Sequence, residues 1–243
     1  MIKYYKQNST QFSMYRKLLS AIAALALAGG VASAQRIEPV DPNVQDIIRT
    51  LNANGYEFYS FDLSTFNDKT YEIEVYIQEG DSTGLRTDNE IRGAGWQSRR
   101  FLKDIPEEYR QKVTPIDPVT GLIDQISRIG ISIAPETDST VIARISLGKY
   151  GISQVLKQQP IIRYKEGQQI LYRTYGVRSF KIETFESGKD IPLVMYASYW
   201  FDPEANSYRL CGEEEIDPDL STPILKNIPH YYVIGIRLTE KPE

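Results

Sequence analysis

Few side chains in this sequence have types that could do covalent or metal chemistry. The 243 residues hold one cysteine, Cys211, and one histidine, His230. A thiol–imidazole pair would have to use both, with the thiolate as nucleophile and the imidazole as its base. Directly after the cysteine, "CGEEEIDPDLS" places Glu213, Glu214, Glu215, Asp217 and Asp219 in a short run. In an extended chain Glu213 and Glu215 project together and Glu214 opposes them. Such a pair suits a hard cation or two-carboxylate hydrolysis, for which the acids must sit roughly 5 to 10 Å apart. Calcium usually takes about six to eight oxygens from a loop built around a glycine turn, and that pattern is missing here. The run therefore reads first as a solvated acidic edge, with an ion site or catalysis as the alternatives.

The same weighing applies to the other candidates. His230 follows Pro229 and precedes Tyr231 and Tyr232, a setting that suits packing at the start of a strand. Cys211 reads as a buried, inert thiol on a strand, with intermolecular pairing or catalysis as alternatives; alone, it forms no internal disulfide. A histidine-rich zinc site is excluded by count. The HExxH, GxSxG, P-loop and strand-following GxGxxG patterns are absent, so no cofactor and no metal are expected. Tyr59, Tyr76, Trp96, Tyr172 and Tyr175 offer apolar ring faces with polar tips that can stack on sugars. Their plain reading is ordinary strand composition.

The elements that would position these groups are mostly strands. "DPNVQDIIRTLNANG" is the one long helical pattern, with Val44, Ile47, Ile48 and Leu51 at i, i+3, i+4, i+7. Asp41 and Pro42 suit its start and Asn54-Gly55 its stop, and we expect it to lie on a sheet. "YEFYSFDL" and "TYEIEVYIQEG" alternate as strands, with "STFNDK" turning between them. The Gly-rich span 81–95 reads as a loop, with a turn or bulge at "RGAGWQS". "DIPEEYRQKV" reads as a short helix. From Ile123 onward, strand patterns alternate with short turns: "ISRIGISIA", "TVIARISLG", "QPIIRYK", "QQILYRTYG", "VRSFKIETF", "DIPLVMYASYWF", "NSYRLCG" and "HYYVIGIRLTE". "PLVMYASYWF" is apolar on both faces and reads as a central strand. The fold class expected is mainly β, an antiparallel β-sandwich or barrel-like sheet with one N-terminal amphipathic helix and short helical turns.

The ends and the charge bound the setting. Residues 1–34 read as a secretory signal peptide: Arg16 and Lys17, an apolar run from Leu18 to Ala28, then Ala32-Ser33-Ala34 before Gln35. The polar residues before Met14 favour Met14 as the translation start. The apolar run is shorter than the about 20 residues a membrane helix needs, and no later stretch is apolar enough to cross. The mature chain, 35–243, is expected to be one β-rich domain, periplasmic or secreted. Removing Lys3, Lys6, Arg16 and Lys17 leaves 24 Lys and Arg against 32 Asp and Glu, a formal charge of −8. So acidic a body argues against nucleic acid and anionic membrane surfaces as partners.

Two blocks carry a resemblance. "SYWFDPEANSYRLCGEEEIDPDLSTPILKNIPHYYVIGI" and "NGYEFYSFDLSTFNDKTYEIEVY" resemble an uncharacterised family of secreted proteins from gut Bacteroidales, a domain of unknown function. The resemblance implies an exported, mostly β protein and supplies no catalytic residues. Residues and resemblance together favour a binding or structural module of the bacterial cell envelope, with a glycan or an envelope protein as partner. The alternative is a carboxylate-dependent hydrolase such as a glycosidase, drawing on Glu213, Glu215, Asp217 and Asp219.

Overall fold

The computed structural model describes residue 41 and residues 43–159, 175–182, 185–202, 204, 206–209 and 215–242. From Val44 onward the chain gathers into one compact unit. In chain order its elements are α1 (Val44–Ala53), β1 (Glu57–Asp62), β2 (Tyr71–Asp81), β3 (Gly84–Gln97), β4 (Arg99–Phe101), α2 (Glu107–Arg110) and β5 (Leu122–Gln125). There follow β6 (Arg128–Pro135), β7 (Thr140–Leu147), β8 (Tyr150–Lys157), β9 (Tyr175–Phe180) and β10 (Asp190–Ser198). The last are β11 (Trp200–Asp202), β12 (Ser207–Arg209), β13 (Glu215–Ile216) and β14 (Tyr231–Glu240). Short 3-10 turns occupy Ser64–Phe66, Leu102–Asp104 and Pro223–Asn227. No helix among the described residues is long and apolar enough to cross a membrane.

Two open sheets stack as a sandwich rather than closing into a barrel. The smaller has the order β1-β6-β7-β8 and the larger β13-β9-β10-β14-β2-β3. Period-two alternation builds the space between them. Ile129, Ile131, Ile133, Val141, Ala143, Ile145 and Leu147 face Ile73, Val75, Ile77, Val194, Ile234 and Ile236 in one core. The far face of the larger sheet carries a second core, with Tyr76, Met195, Ala197, Tyr231 and Val233 packed against Ile216, Leu225 and Ile228. The larger sheet is therefore covered on both sides, and β10 is buried from Pro192 to Ser198, as its two apolar faces require.

The smaller sheet's edge strand, β8, runs antiparallel along β7 and also reaches across to the larger sheet. Ile152 of β8 approaches Gly93 on β3. Lys157 exchanges backbone hydrogen bonds with the Tyr232 hydroxyl on β14. Gln158 reaches Tyr196 on β10, and Gln159 reaches Tyr175 on β9. One short strand with its two following residues thus spans four strands of the other sheet. Tyr150 anchors its near end, donating to Asp124 on β5 at 2.9 Å.

Four expectations change. The span 81–95 is largely β3, an edge strand paired to β2; its polar residues face water, which hid the strand behind loop-like composition. Its ladder does shift register opposite Gly93–Trp96, where Gly95 takes φ +95°, so the bulge reading of "RGAGWQS" fits. β1 and β2 do not pair across "STFNDK": β1 joins β6 and β2 joins β14. The amphipathic helix does not bury its apolar stripe. Val44 and Ile47 are 69% and 54% exposed and no residue of α1 is buried. Finally, "PLVMYASYWF" breaks after Ser198, and Trp200–Asp202 turns off into a hairpin with β12. The strands expected over 159–174 lie almost wholly outside the described residues.

Two glycines make the β2–β14 pairing possible. Tyr231 lies opposite Gly80, and Tyr76 opposite Gly235, on the same face. Each ring covers the glycine across from it: an added Cβ would meet the Tyr231 ring 2.5 Å from Gly80 and the Tyr76 ring 2.5 Å from Gly235. At Gly235 the Ile191 carbonyl oxygen would also stand 2.4 Å away, and backbone cannot yield as a side-chain tip can. Gly235→Ala is expected to destabilise the fold by about 1–3 kcal/mol through overpacking. Ile47→Asp on the exposed helix should cost no more than about 0.5 kcal/mol. Urea denaturation midpoints of the two variants check both.

Candidate functional site

The polar end of the main core forms the site. Along β2, the inward positions Tyr71, Ile73, Val75 and Ile77 lead to Glu79. Along β14, Leu238, Ile236, Ile234 and Tyr232 lead back to His230, just before the strand. Both groups continue an apolar face and are buried with it: Glu79 is 8% exposed and His230 1%. The β2–β14 register sets Tyr232 opposite Glu79, so the carboxylate and the imidazole meet at one end of the sandwich.

A charge buried in this way must be compensated, and here it is. His230 Nε2 lies 2.9 Å from Glu79 Oε1, and Arg86 Nη1 reaches the same oxygen at 3.1 Å. Asn89 donates its amide to Glu79 Oε2. Because Nε2–H donates to the carboxylate, Nδ1 is left as an acceptor. It accepts a hydrogen bond from the Tyr175 hydroxyl at 2.6 Å. That hydroxyl in turn accepts the Gln159 backbone N–H at 2.8 Å. Ser198 and His230 exchange hydrogen bonds, N–H to Oγ at 3.2 Å and N–H to carbonyl at 2.9 Å. Around the imidazole stand Tyr175, stacked on Tyr196 at 5.0 Å, and Tyr232, edge-on at 4.9 Å.

Burial pushes the His230 pKa below its ordinary value of 6.5, with Glu79 opposing. Above that value the ring is neutral in the fold. Burial likewise pushes the Tyr175 phenol well above its usual range, so it stays a hydroxyl. The Glu79–His230–Tyr175 series has the form of a carboxylate–imidazole–hydroxyl relay, yet the described atoms leave neither ring nitrogen free for a substrate. Its role is positional: it locks the tautomer and holds three strands at fixed distances.

Beside this network opens a cleft of about 410 Å³, lined by Ile77, Ile91, Val155, Leu156 and Tyr232 together with Glu79, Asn89, Gln154, Gln158 and His230. Apolar walls with a few convergent polar groups are the ordinary composition of a small-molecule site. One of those groups is unfinished. Gln158 is 7% exposed, and its Nε2 donates to the Tyr196 hydroxyl at 2.5 Å. Its Oε1 is shut off from solvent and has no hydrogen-bond partner among the described residues. A larger, more open depression of about 610 Å³ crosses the outer face of the smaller sheet, where Phe58 flanks Ser60, Gly130, Ser132 and Ser146. There Ser60 and Ser146 donate to strand carbonyls at 3.3 and 3.2 Å, so little unmet hydrogen bonding faces it.

The candidates named from sequence fall in separate places. His230 and Tyr175 share the network just described. Tyr59 packs into the main core and donates to Glu57 at 3.1 Å. Tyr76 is 3% exposed beneath the second core, with no ring face left for a sugar. Trp96 is half-buried and folds back over Gly93. Glu215 is exposed on β13, beside Ser179 of β9. Asp217 pairs with Lys181 at 2.9 Å and binds Thr222, and Asp219 accepts the Ser221 N–H at 3.0 Å. These bonds hold both aspartates below the usual carboxylate range. Cys211, Glu213 and Tyr172 lie outside the described residues. Among the described residues, no group of three His, Cys, Asp or Glu is placed to hold a metal. Sequence reasoning missed Glu79, Asn89, Arg86 and Gln158. The available signal was alternation: counting by twos from Tyr71 lands on an acid at the end of an apolar face.

Fold and cleft together define a two-sheet β-sandwich with a polar-floored cleft at one end. The chain belongs to the family described as a domain of unknown function, DUF5041, whose model matches residues 27–240. No curated protein and no solved structure matches it.

The neutral imidazole makes stability depend on pH. The unfolded chain binds a proton at His230 near pH 6.5 that the folded chain takes up only at lower pH. The stability this group contributes is therefore complete above that value and is lost as pH falls below it. Asp124 and Asp190, whose partners depress their pKa below 3.8, lose their contribution only in stronger acid. Urea midpoints should fall between pH 7 and pH 5, and His230→Gln should flatten the curve across that window.

Proposed function

We propose that the mature chain is an exported ligand-binding module of the bacterial cell envelope, with its ligand seated in the cleft beside Glu79 and His230. Export rests on the sequence, in the basic, apolar and small-residue order of 1–34. The resemblance to secreted Bacteroidales proteins supports the same compartment. The partner is a small molecule, or the exposed end of an envelope glycan or protein, of a size that fits about 410 Å³.

The observation that carries this reading is the cleft itself, where Ile77, Ile91 and Leu156 converge with Glu79, Asn89 and His230 in the composition of a small-molecule site. The hydrolase reading has less support. Glu215, Asp217 and Asp219 line neither described cavity, and Glu79, the one described acid in the cleft, is already held by three donors. Acid–base hydrolysis of a glycosidic bond needs a second carboxylate facing the first.

Isoleucine-methyl NMR tests the proposal, because Ile77 and Ile91 line the cleft while Ile129 and Ile145 lie deep in the core. Titrating residues 35–243 with envelope glycan fragments and short peptides should shift the first pair and leave the second in place. If no probe moves Ile77 or Ile91, the cleft is not a binding site. Protein recovered from the envelope fraction should have an intact mass that starts at Gln35.

A further inference from the structure

One wall of the cleft is the outer edge of β8 and the two residues after it. This step rests on the reading of the cleft as a ligand site. We propose that the cleft takes an extended peptide, added antiparallel to the outer edge of β8, with alternate aliphatic side chains seated on the cleft floor.

Backbone parity on β8 fixes which groups are on offer. The Gln158 N–H donates to the Ser139 carbonyl at 2.7 Å, at the end of the β7–β8 ladder. In an antiparallel pair, residues that bond across the ladder alternate with residues whose groups point away. Counting back by twos, Leu156, Gln154, Ile152 and Tyr150 bond towards β7, opposite Val141, Ala143, Ile145 and Leu147. Gly151, Ser153, Val155 and Lys157 therefore turn their backbone groups outward. Lys157 displays this parity, because its N–H and its carbonyl both bond the Tyr232 hydroxyl, at 3.2 and 3.0 Å. The Val155 carbonyl accepts the Gln154 side-chain amide at 3.2 Å. Two side chains thus stand where a neighbouring strand's backbone would be. Among the described residues, nothing takes that place at Gly151, at Ser153 or at the Val155 N–H.

The other three sheet ends are blunted. β3 shifts register at two places and carries Arg86, Asp88, Glu90 and Arg92. β13 is two residues long, and β1 runs for six between Glu57 and Asp62. Shortness, charge and bulges are the ordinary means by which a sheet end avoids pairing. β8 uses none of them. Its eight residues pair with β7 in unbroken register, and from Tyr150 to Leu156 it carries no charge.

Beside this edge lies the apolar floor of Ile77, Ile91, Leu156 and Tyr232. An antiparallel strand next to β8 would send every second side chain inward, in line with Leu156. Those side chains would cover the floor and leave the polar ones outside with Ser153. Main-chain bonds then hold the peptide and the floor selects its alternate residues, which is the mode of strand addition.

Calorimetry and Ile-methyl shifts on residues 35–243 test this with three probes. The first is acetyl-Thr-Val-Thr-Val-Thr-amide. The second is the same peptide with N-methyl groups on the threonines, whose amides would face β8. The third is N-acetylglucosamine. The first peptide should shift Ile77 and Ile91 and slow hydrogen exchange at the Ser153 and Val155 amides. N-methylation should weaken it about tenfold or more. Ser153→Pro removes an edge N–H that β7 does not use, and it should weaken the first peptide to a similar degree. Should that variant not fold, the methylated peptide still decides the matter on the native chain. Equal binding of the two peptides would overturn strand addition. Methyl shifts from the sugar alone would overturn the peptide assignment and leave the cleft standing as a ligand site. Silence from all three would overturn the assignment and the cleft reading together.

Discussion

Ten consecutive residues of β14 pair with β2 without a break, from Tyr231 opposite Gly80 to Glu240 opposite Tyr71. Both strands bury their inward face, and their outer face is buried around Tyr76, Gly80, Tyr231, Val233 and Gly235, so this register can take one value. Side chains alternate with a period of two, and a slip by one residue would send every inward group outward. Here such a slip would drive Tyr76 and Tyr231 off their glycines and into the main core. It would also carry Glu79 away from its partners. Placement of the acid and placement of the rings are the same constraint.

The polar network lies where that constraint meets the end of the core. An apolar face that runs on into Glu79 from one side and His230 from the other has to close on something other than hydrocarbon. Pairing and hydrogen bonding of every group make the burial tolerable, because removing one partner from such a set strands the other at a cost of about 3–5 kcal/mol. Arg86 and Asn89 come from β3, Tyr175 from β9 and Ser198 from β10. Several strands of the sheet contribute, so the network fixes its end as the apolar core fixes its middle. The cleft inherits its shape from this frame rather than from a loop, which suits a site that must hold its polar groups ready.

Much of the fold was legible in alternation. "TYEIEVYIQEG", "ISRIGISIA", "TVIARISLG" and "HYYVIGIRLTE" each become a strand, and the doubly apolar "PLVMYAS" becomes a central one. What failed shares one cause: the signal depends on a buried side. β3 has a wet edge and few apolar residues, so it read as loop. The helix Val44–Ala53 has the right spacing for packing, yet spacing records only that a stripe exists and not that anything covers it. Pairing partners were also hidden, since strand pattern does not say that β1 joins β6 and β2 joins the last strand. At the site, the sole histidine drew attention by its rarity. Glu79 did not, because among 32 acidic residues an inward one differs from an outward one only by parity. Gln158 was invisible for the same reason, and its meaning depends on atoms of β10 that no local pattern reveals.

The partner of β2 is the final strand of the chain, with nearly the whole domain between them in sequence. Loop closure over such a span carries a large entropic cost, and long-range pairings of this kind form slowly. Neither core can be sealed until those last ten residues are present, because β14 contributes to both. Docking of β14 therefore closes both cores in a single event, and the strands before it share one folding step.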